Sequence, residues 1–501
     1  MPGAATPRPG MPTISASTLY ALVQCPHRVA RDAFDPPSDR DAVGAFTRML
    51  WDNGTRFERE TIAALATPYV ELGGLAPADK GSATLAAMGR GEALIHGGRV
   101  AHGDLVAEPD LLRREGAGYV PGDIKSGAAA DGGDSRDGRL NRRYAVQLAL
   151  CVDILERLGL SAGRRGFVWD AGGHEVAYDL EARGDRARGT LWEVYERALE
   201  QARGILAGAV VTLPAASTAC RLCHWNSTCR AAIVAADDLT LIPELGRARR
   251  DAMIGRVRSV AELARADVEA FIHGARTDFP RVSPDTLRRF HARARLLKSP
   301  DPRPYLRAPH GLPSAAREIF LDIEADPLRD RVYLHGLIEA DRPRAALRFT
   351  SFVAERPDAA SERRAFADAL AHLAARPDAV VFVYSAYERR MYRKLAARYP
   401  ELDAAAAVEA LFAPGRAVDL HETVRAATEW PTSDLSIKTL AGHLGFKWRD
   451  PNPSGAASIE WYDRYVADGD AASLRRIVDY NEDDCRAMVV LLDAIRSLPP
   501  P

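Results

Sequence analysis

Asp123 and Lys125 stand two residues apart in a short apolar run, Gly118–Lys125, that reads as a strand. Alternate residues of a strand share a face, so the carboxylate and the ammonium point the same way. Asp110 lies in the preceding strand-like run, within Glu108-Pro109-Asp110-Leu111-Leu112, and returns toward Asp123 through a short hairpin. Two carboxylates and one ammonium at a sheet edge suit phosphodiester hydrolysis. The carboxylates offer hard oxygen ligands to Mg²⁺ or Mn²⁺. The cation activates water and offsets charge on the phosphoryl oxygens, and the lysine positions the water or neutralises developing charge. Asp104 is a rival for the place of Asp110, but its return to Asp123 is longer. An isolated Asp-x-Lys also describes the solvated edge of a strand, so the surrounding pattern has to decide.

A second acidic pattern lies far downstream. Phe320-Leu321-Asp322-Ile323-Glu324 is an apolar strand whose two acids again share a face. A buried strand end tolerates such a pair mainly where a cation compensates it. Tyr480-Asn481-Glu482-Asp483-Asp484 opens a helix, with Tyr480 and Asp484 four residues apart on one side. Tyr384-Ser385-Ala386-Tyr387-Glu388 lies between them, and Asp419 reads as a helix N-cap.

The chain has six cysteines. Cys220, Cys223 and Cys229 form a Cys-x2-Cys-x5-Cys cluster, and Cys25 stands near the N-terminus. Four thiolates suit either tetrahedral zinc or an iron–sulfur cluster. Cys151 and Cys485 fall outside the pattern and read as buried thiols. Six cysteines are too sparse for a disulfide scaffold, and the N-terminus lacks a charged start followed by an apolar stretch. The expectation is a cytoplasmic protein with reduced thiols. No apolar run reaches the ~18–20 residues of a membrane helix, so no membrane partner is expected.

These residues need a scaffold. A length of 501 residues suggests about three domains. Hydrophobic residues make up 47%, which excludes wholesale disorder. Lys+Arg number 67 against 68 Asp+Glu, a net charge of −1, which excludes a uniformly basic nucleic-acid coat. Nearly all the basic residues are arginine, with six lysines.

Residues 1–13 are Pro/Gly-rich and read as loose. A helix runs from Ser15 toward Cys25, and a second carries Phe46, Leu50, Trp51 and Phe57. Ala93–Val100, Leu105–Arg113 and Gly118–Lys125 read as a β-meander. A Gly/Asp/Ala-rich loop over Gly127–Gly138 precedes an amphipathic helix at Tyr144–Leu158, a strand at Gly166–Trp169 and a helix at Arg186–Leu206. Residues 241–300 are mostly helical, with 13 Lys/Arg against 7 Asp/Glu. Arg247, Arg249 and Arg250 follow a break at Ile242–Gly246. After a Pro-rich linker, strands at Ile319–Glu324, Val332–Ile338, Leu347–Phe352 and Ala379–Tyr384 alternate with helices, a mixed α/β pattern.

The first constellation resembles the PD-(D/E)XK nucleases of the RecB-like branch, with their restriction-endonuclease-like core. On that resemblance Glu58 is the family's helical acid, Asp110 and Asp123-Ile124-Lys125 the metal-binding centre, and Gln147 the start of its Gln-x-x-x-Tyr helix. Cys151 stands where that family has tyrosine. The order of one remote cysteine and three clustered ones resembles the iron–sulfur nucleases of the AddB type and the CRISPR-associated RecB-like nucleases. This implies a 4Fe–4S cluster on Cys25, Cys220, Cys223 and Cys229, with zinc as the alternative. The C-terminal constellation resembles the DnaQ-like (DEDD) 3′–5′ exonucleases of the RNase H-like fold, in their tyrosine variant. Asp322 and Glu324 match the first motif and Tyr480-x3-Asp484 the third, while Glu388 stands where the family has aspartate. The implied chemistry is two-metal hydrolysis with Tyr480 orienting the water. The basic middle resembles helix-hairpin-helix elements that hold a phosphate strand without reading its sequence.

In order, the chain resembles RecB-like nucleases carrying a C-terminal RNase H-like domain. The expected division is a nuclease domain at 1–235, a basic helical module with its linker at 236–305, and an exonuclease domain at 306–501. This implies a metal-dependent nuclease acting on single-stranded DNA or DNA ends. Two alternatives stand beside it. One is a nucleic-acid-binding scaffold with a lapsed site, favoured by Cys151 and Glu388. The other is an RNA-processing exonuclease that uses the C-terminal site.

Overall fold

The computed structural model of the protein describes residues 13–127, 129–131, 139–183, 189–342 and 346–499. The expected loose start therefore lies outside the described residues except for Thr13, and so does most of the loop expected over 127–138. The chain divides into two compact units, Met1–Pro214 with Thr218–Cys229, and Ala215–Ser217 with Arg230–Pro501.

In the first unit, helix α1 (Ala16–Gln24) starts at a capping box: the Ser15 hydroxyl accepts from the Thr18 amide, and the Thr18 hydroxyl accepts from the Ser15 amide. Helix α2 (Ala45–Ala63) buries only Asn53 and Ile62. Helix α3 (Arg142–Leu158) is capped by Asn141 and ends at Gly159, whose φ of +72° is the left-handed conformation that glycine adopts freely. Its middle, from Ala145 to Leu155, is buried almost all round, as expected of a helix inside a core. Helix α4 (Leu191–Leu206) starts later than the expected Arg186, and residues 186–188 lie outside the described residues.

The principal sheet of this unit has six strands among the described residues: β1 (Val70–Glu71), β2 (Leu94–His96), β3 (Leu111–Glu115), β4 (Gly118–Ile124), β5 (Arg165–Trp169) and β6 (Glu175–Asp179). They lie side by side in sequence order. β3 and β4 form an antiparallel hairpin, whereas β5 returns parallel to β4 after α3. Every residue of β4 is buried. Gly122 pairs with Phe167 there, and a Cβ on it would lie 2.2 Å from the Phe167 ring. Only glycine admits that ring beside Asp123.

The expected meander breaks in two places. Gly97, at φ +64°, turns the chain after His96, and Pro109 interrupts the next run because it has no ladder donor. The excised pieces, Val100–His102 and Leu105–Ala107, pair with each other and with Ile14–Ser15 in a separate three-stranded sheet.

The second unit begins with helices at Gly246–Met253, Val260–Arg265 and Pro284–Leu297 around Leu239, Ile242, Met253, Leu263 and Phe290. Two of the basic residues singled out above are engaged internally. Arg250 is 1% exposed and pairs with Asp238 at 2.6 Å, and Arg249 donates to the Glu244 carbonyl at 2.6 Å. The reading of Arg250 as part of a phosphate-facing charge run is therefore corrected: its guanidinium belongs to the core. Arg293 and Glu429, each 1% exposed, pair at 2.6 Å and tie these helices to the α/β region that follows.

The main sheet of that region has five strands among the described residues: β7 (Arg317–Asp326), β8 (Arg331–Asp341), β9 (Leu347–Val353), β10 (Val380–Val383) and β11 (Ala417–Asp419), in the order 9-8-7-10-11. β7 is central, antiparallel to β8 and parallel to β10. Three helices complete the framework of the acidic site: α5 (Tyr387–Arg398), α6 (Ile437–His443) and α7 (Ala471–Ser497), which packs on β7 and β8. Asp419 caps the helix after β11, accepting from the amides of His421 and Glu422. Among the described residues no helix is long and apolar enough to cross a membrane.

Candidate functional site

In the first unit, Asp110, Asp123, Lys125, Gln147 and Cys151 line one cavity of about 350 Å³. Asp110 lies one residue before β3 rather than within a strand, and its Oδ2 accepts from the Ile124 amide at 2.6 Å. Lys125, just past the end of β4, sits 3.3 Å from Asp123 and 3.7 Å from Asp110. Burial and the neighbouring Asp123 push the Asp110 carboxyl up to about 7. Burial pulls the Lys125 ammonium down, but Asp123 and Asp110 outweigh it and hold the group charged. Gln147 and Cys151 are one turn apart on α3, and the Gln147 Oε1 is buried with no hydrogen-bond partner. Asp104 instead makes a two-pronged pair with Arg203, 2.8 Å on each arm, and does not line the cavity.

Glu58 projects from α2, close enough for its charge to act on Asp110. It has a partner that sequence reasoning missed: His96 Nε2 lies 3.4 Å from Glu58, while His96 Nδ1 lies 2.7 Å from Glu71. The hydrogen bond to His96 holds Glu58 below the usual carboxylate range, and the same bond raises His96. His96 ends a three-residue strand, with no motif around it to mark it.

Cys25, Cys220, Cys223 and Cys229 lie near enough for their charges to act on one another, without the convergence inside 4.8 Å that Asp322, Glu324 and Asp484 show. Each is half-buried and none is in a disulfide. Burial raises Cys223 and Cys229; Cys223 feels the charges of Cys25 and Cys220, and Cys229 those of Cys223 and Cys25. Cys25 occupies the N-cap of the helix Pro26–Phe34. Asp32 on that helix accepts from Trp225 Nε1 at 2.9 Å and lies 2.7 Å from His224 Nε2. Arg31 reaches Cys229 Sγ at 4.0 Å and lies over the Trp225 ring. The segment holding the first cysteine is thereby fastened to the segment holding the other three.

In the second unit, Asp322, Glu324 and Asp484 offer carboxylate oxygens that all lie within 4.8 Å of one another. Asp322 and Glu324 come from one face of β7, and Asp484 from α7. Asp322 keeps some of its surface in solvent, but its carboxyl is enclosed. Burial and the neighbouring carboxylates push Asp322 well up and Glu324 to about 8, and burial raises Asp484. Such a set resists ionisation until a cation joins it. Glu388, on α5, is buried and pushed up to about 8; its Oε2 has no hydrogen-bond partner, and its charge acts on Asp322. Tyr480 hydrogen-bonds Asp484 and, by burial first and Glu324 next, is held firmly protonated.

A glycine makes this convergence possible. Gly336 on β8 pairs with Asp322, and a Cβ there would fall 1.6 Å from Asn481 Oδ1. Asn481 Nδ2 donates to Asp322 Oδ2 at 2.7 Å, so the absent side chain lets α7 reach the strand. Gly336→Ala should displace Asn481 and cost roughly 1–3 kcal/mol, the usual range for overpacking, read as a lowered thermal midpoint. An unchanged midpoint would show that this contact does not hold α7.

Residues 319–496 match a family model of the RNase H superfamily. No curated protein matches the chain. The RNase H-like region therefore includes Asp322, Glu324, Glu388, Tyr480 and Asp484. Three further residues around its acids were not found from sequence. Trp448 Nε1 donates to Asp484 Oδ1 at 2.6 Å, Ser458 hydrogen-bonds Glu324, and Lys438 Nζ donates to Tyr480 Oη at 2.5 Å. Lys438 had one legible signal: it is among only six lysines in an arginine-rich chain.

Proposed function

We propose that the protein is a metal-dependent nuclease that hydrolyses phosphodiester bonds in single-stranded DNA or at DNA ends, with the RNase H-like region acting as a 3′–5′ exonuclease. The observation that carries this reading is the convergence of Asp322, Glu324 and Asp484 within 4.8 Å. The donor set is all hard oxygen, which fits Mg²⁺ or Mn²⁺. Bound there, the metal supplies an activated water and offsets charge on the phosphoryl oxygens. Asp322, Glu324 and Asp484 hold the cation, and Glu388 adds a fourth carboxyl beside Asp322. Tyr480, fixed between Asp484 and Lys438, orients the attacking water through its hydroxyl. The water oxygen bonds to phosphorus as the bond to the leaving nucleoside oxygen breaks.

The same reading gives the first unit a PD-(D/E)XK-type site. Asp110 and Asp123 hold a cation there, Lys125 offsets phosphate charge, Glu58 supports the set and Gln147 faces the substrate. It gives Cys25, Cys220, Cys223 and Cys229 a 4Fe–4S cluster. The all-thiolate donors, with Arg31 beside Cys229, suit an anionic centre. Its role is a staple: it closes a loop of roughly 200 residues, with an entropic gain that grows only logarithmically with length.

Purified protein should shorten labelled single-stranded DNA in Mg²⁺ or Mn²⁺ and not in EDTA. Failure to cut either DNA or RNA with any divalent ion would reject the reading, whereas cutting RNA alone would move it to the RNA-processing alternative. The protein should also be brown, and Cys223→Ser should bleach it. A colourless protein with one equivalent of zinc would replace the cluster with the zinc alternative.

A further inference from the structure

Lys438 has no part in the motifs that carry the proposed exonuclease, yet it sits against their acids. Its position is built rather than incidental. The Ser436 hydroxyl caps α6 by accepting from the Thr439 amide, Leu440 and Ala441 anchor the helix in the core, and Tyr384 donates to the Leu435 carbonyl just before it. From that fixed base the Lys438 side chain, 32% exposed, reaches inward. Nζ donates to Tyr480 Oη at 2.5 Å and lies 3.8 Å from Asp484 Oδ2. Its charge also acts on Asp322 and Glu324.

An ammonium in this place does two things at once. It fixes the hydroxyl of Tyr480 by hydrogen bonding, and it supplies positive charge at the carboxylates that a divalent cation would bind. The second effect opposes the cation, because like charges a few ångströms apart repel strongly where water is scarce. We propose that Lys438 is a positioning residue that holds Tyr480 in place and, by competing for Asp484, weakens divalent-cation binding at the C-terminal site. This rests on the reading of that site as a metal-dependent nuclease.

Direct Mn²⁺ titration of the full chain tests it, followed by the loss of the free-ion magnetic-resonance signal. The Asp123→Ala background removes the contribution of the first unit's site. Lys438→Met should tighten Mn²⁺ binding about 10-fold. At saturating Mn²⁺ the same variant should lose at least about 10-fold in exonuclease kcat, because Tyr480 is no longer held. Lys438→Arg, which keeps the charge, should stay within about 3-fold of the parent in affinity. A merely structural lysine gives the opposite result, since loosening the site weakens cation binding. Unchanged or weaker Mn²⁺ binding in Lys438→Met overturns the proposal, as does equal tightening in Lys438→Arg. The underlying reading fails separately: if Asp322→Ala leaves Mn²⁺ binding intact, the site is not the proposed metal centre at all.

Discussion

Asp322→Ala should lower metal-dependent hydrolysis at the C-terminal site by more than about 100-fold, because even residues that only support a metal's ligands cost 10–100-fold when removed. Asp322 stands at the crossing of the interactions seen there. It shares a strand face with Glu324, lies within 4.8 Å of Asp484, accepts from Asn481 and feels the charge of Glu388. The direction of the stability change separates a ligand from a structural residue. A structural carboxylate leaves unpaired partners when it is removed, and the fold weakens. Asp322 is instead crowded by like-charged neighbours that push its carboxyl up. In metal-free protein at pH 8 its removal should therefore leave the thermal midpoint unchanged or higher while cleavage collapses. A lost activity accompanied by a large drop in midpoint would point to misfolding, and retained cleavage would reject the assignment.

Asp123→Ala is the companion experiment. Asp123 is the nearer partner of Lys125, and its loss leaves that ammonium with Asp110 alone at 3.7 Å. If both units carry working sites, the two variants should remove different portions of the cleavage pattern, and only the double variant should be silent. If neither variant changes cleavage, both sites are misassigned.

Much of the C-terminal site was legible because its chemistry follows local periods. Asp322 and Glu324 share a strand face by the two-residue repeat, and Tyr480 and Asp484 share a helix face by the four-residue one. What joins those elements is not periodic. Asn481 reaches Asp322 only because position 336 has no side chain, and nothing in the run around Gly336 announces that α7 will press there. Lys438 and Trp448 come from a seven-residue helix and the loop after it, whose places are decided by packing. The same division holds in the first unit. The Asp-x-Lys spacing was readable, but the meander was not, since short apolar runs look continuous across Gly97 and Pro109 until the pairing partners are known. The cysteines were marked by spacing alone. The two cysteine-bearing segments are joined by Asp32 holding His224 and Trp225, almost two hundred residues away in sequence.

The metal-free protein should lose stability as pH rises from about 6.5 to 8.5, and Mg²⁺ should return it. Glu324 and Glu388 are each pushed up to about 8 from the ordinary glutamate value of 4.5. A carboxyl whose folded value lies above its unfolded value binds more protons in the native state across that interval. Unfolding then releases protons, and its free energy falls with rising pH. The stabilising contribution is complete below about pH 4.5 and lost as pH climbs through about 8. Each unit of upward shift carries about 1.4 kcal/mol, so partial retention at both glutamates is enough to move the thermal midpoint measurably. Carboxylates held low, such as Glu58 by His96, and buried His335, pulled down to about 3, act in the opposite sense but finish titrating below about pH 6.5. A divalent cation binds the ionised cluster, so its stabilisation should be larger at pH 8 than at pH 6. Glu388→Gln, which stays neutral at every pH, should flatten the slope in EDTA. Thermal midpoints measured in EDTA and in Mg²⁺ across this range decide the matter. A midpoint that holds level or rises toward pH 8.5 in EDTA would mean that the buried acids are already compensated without a cation.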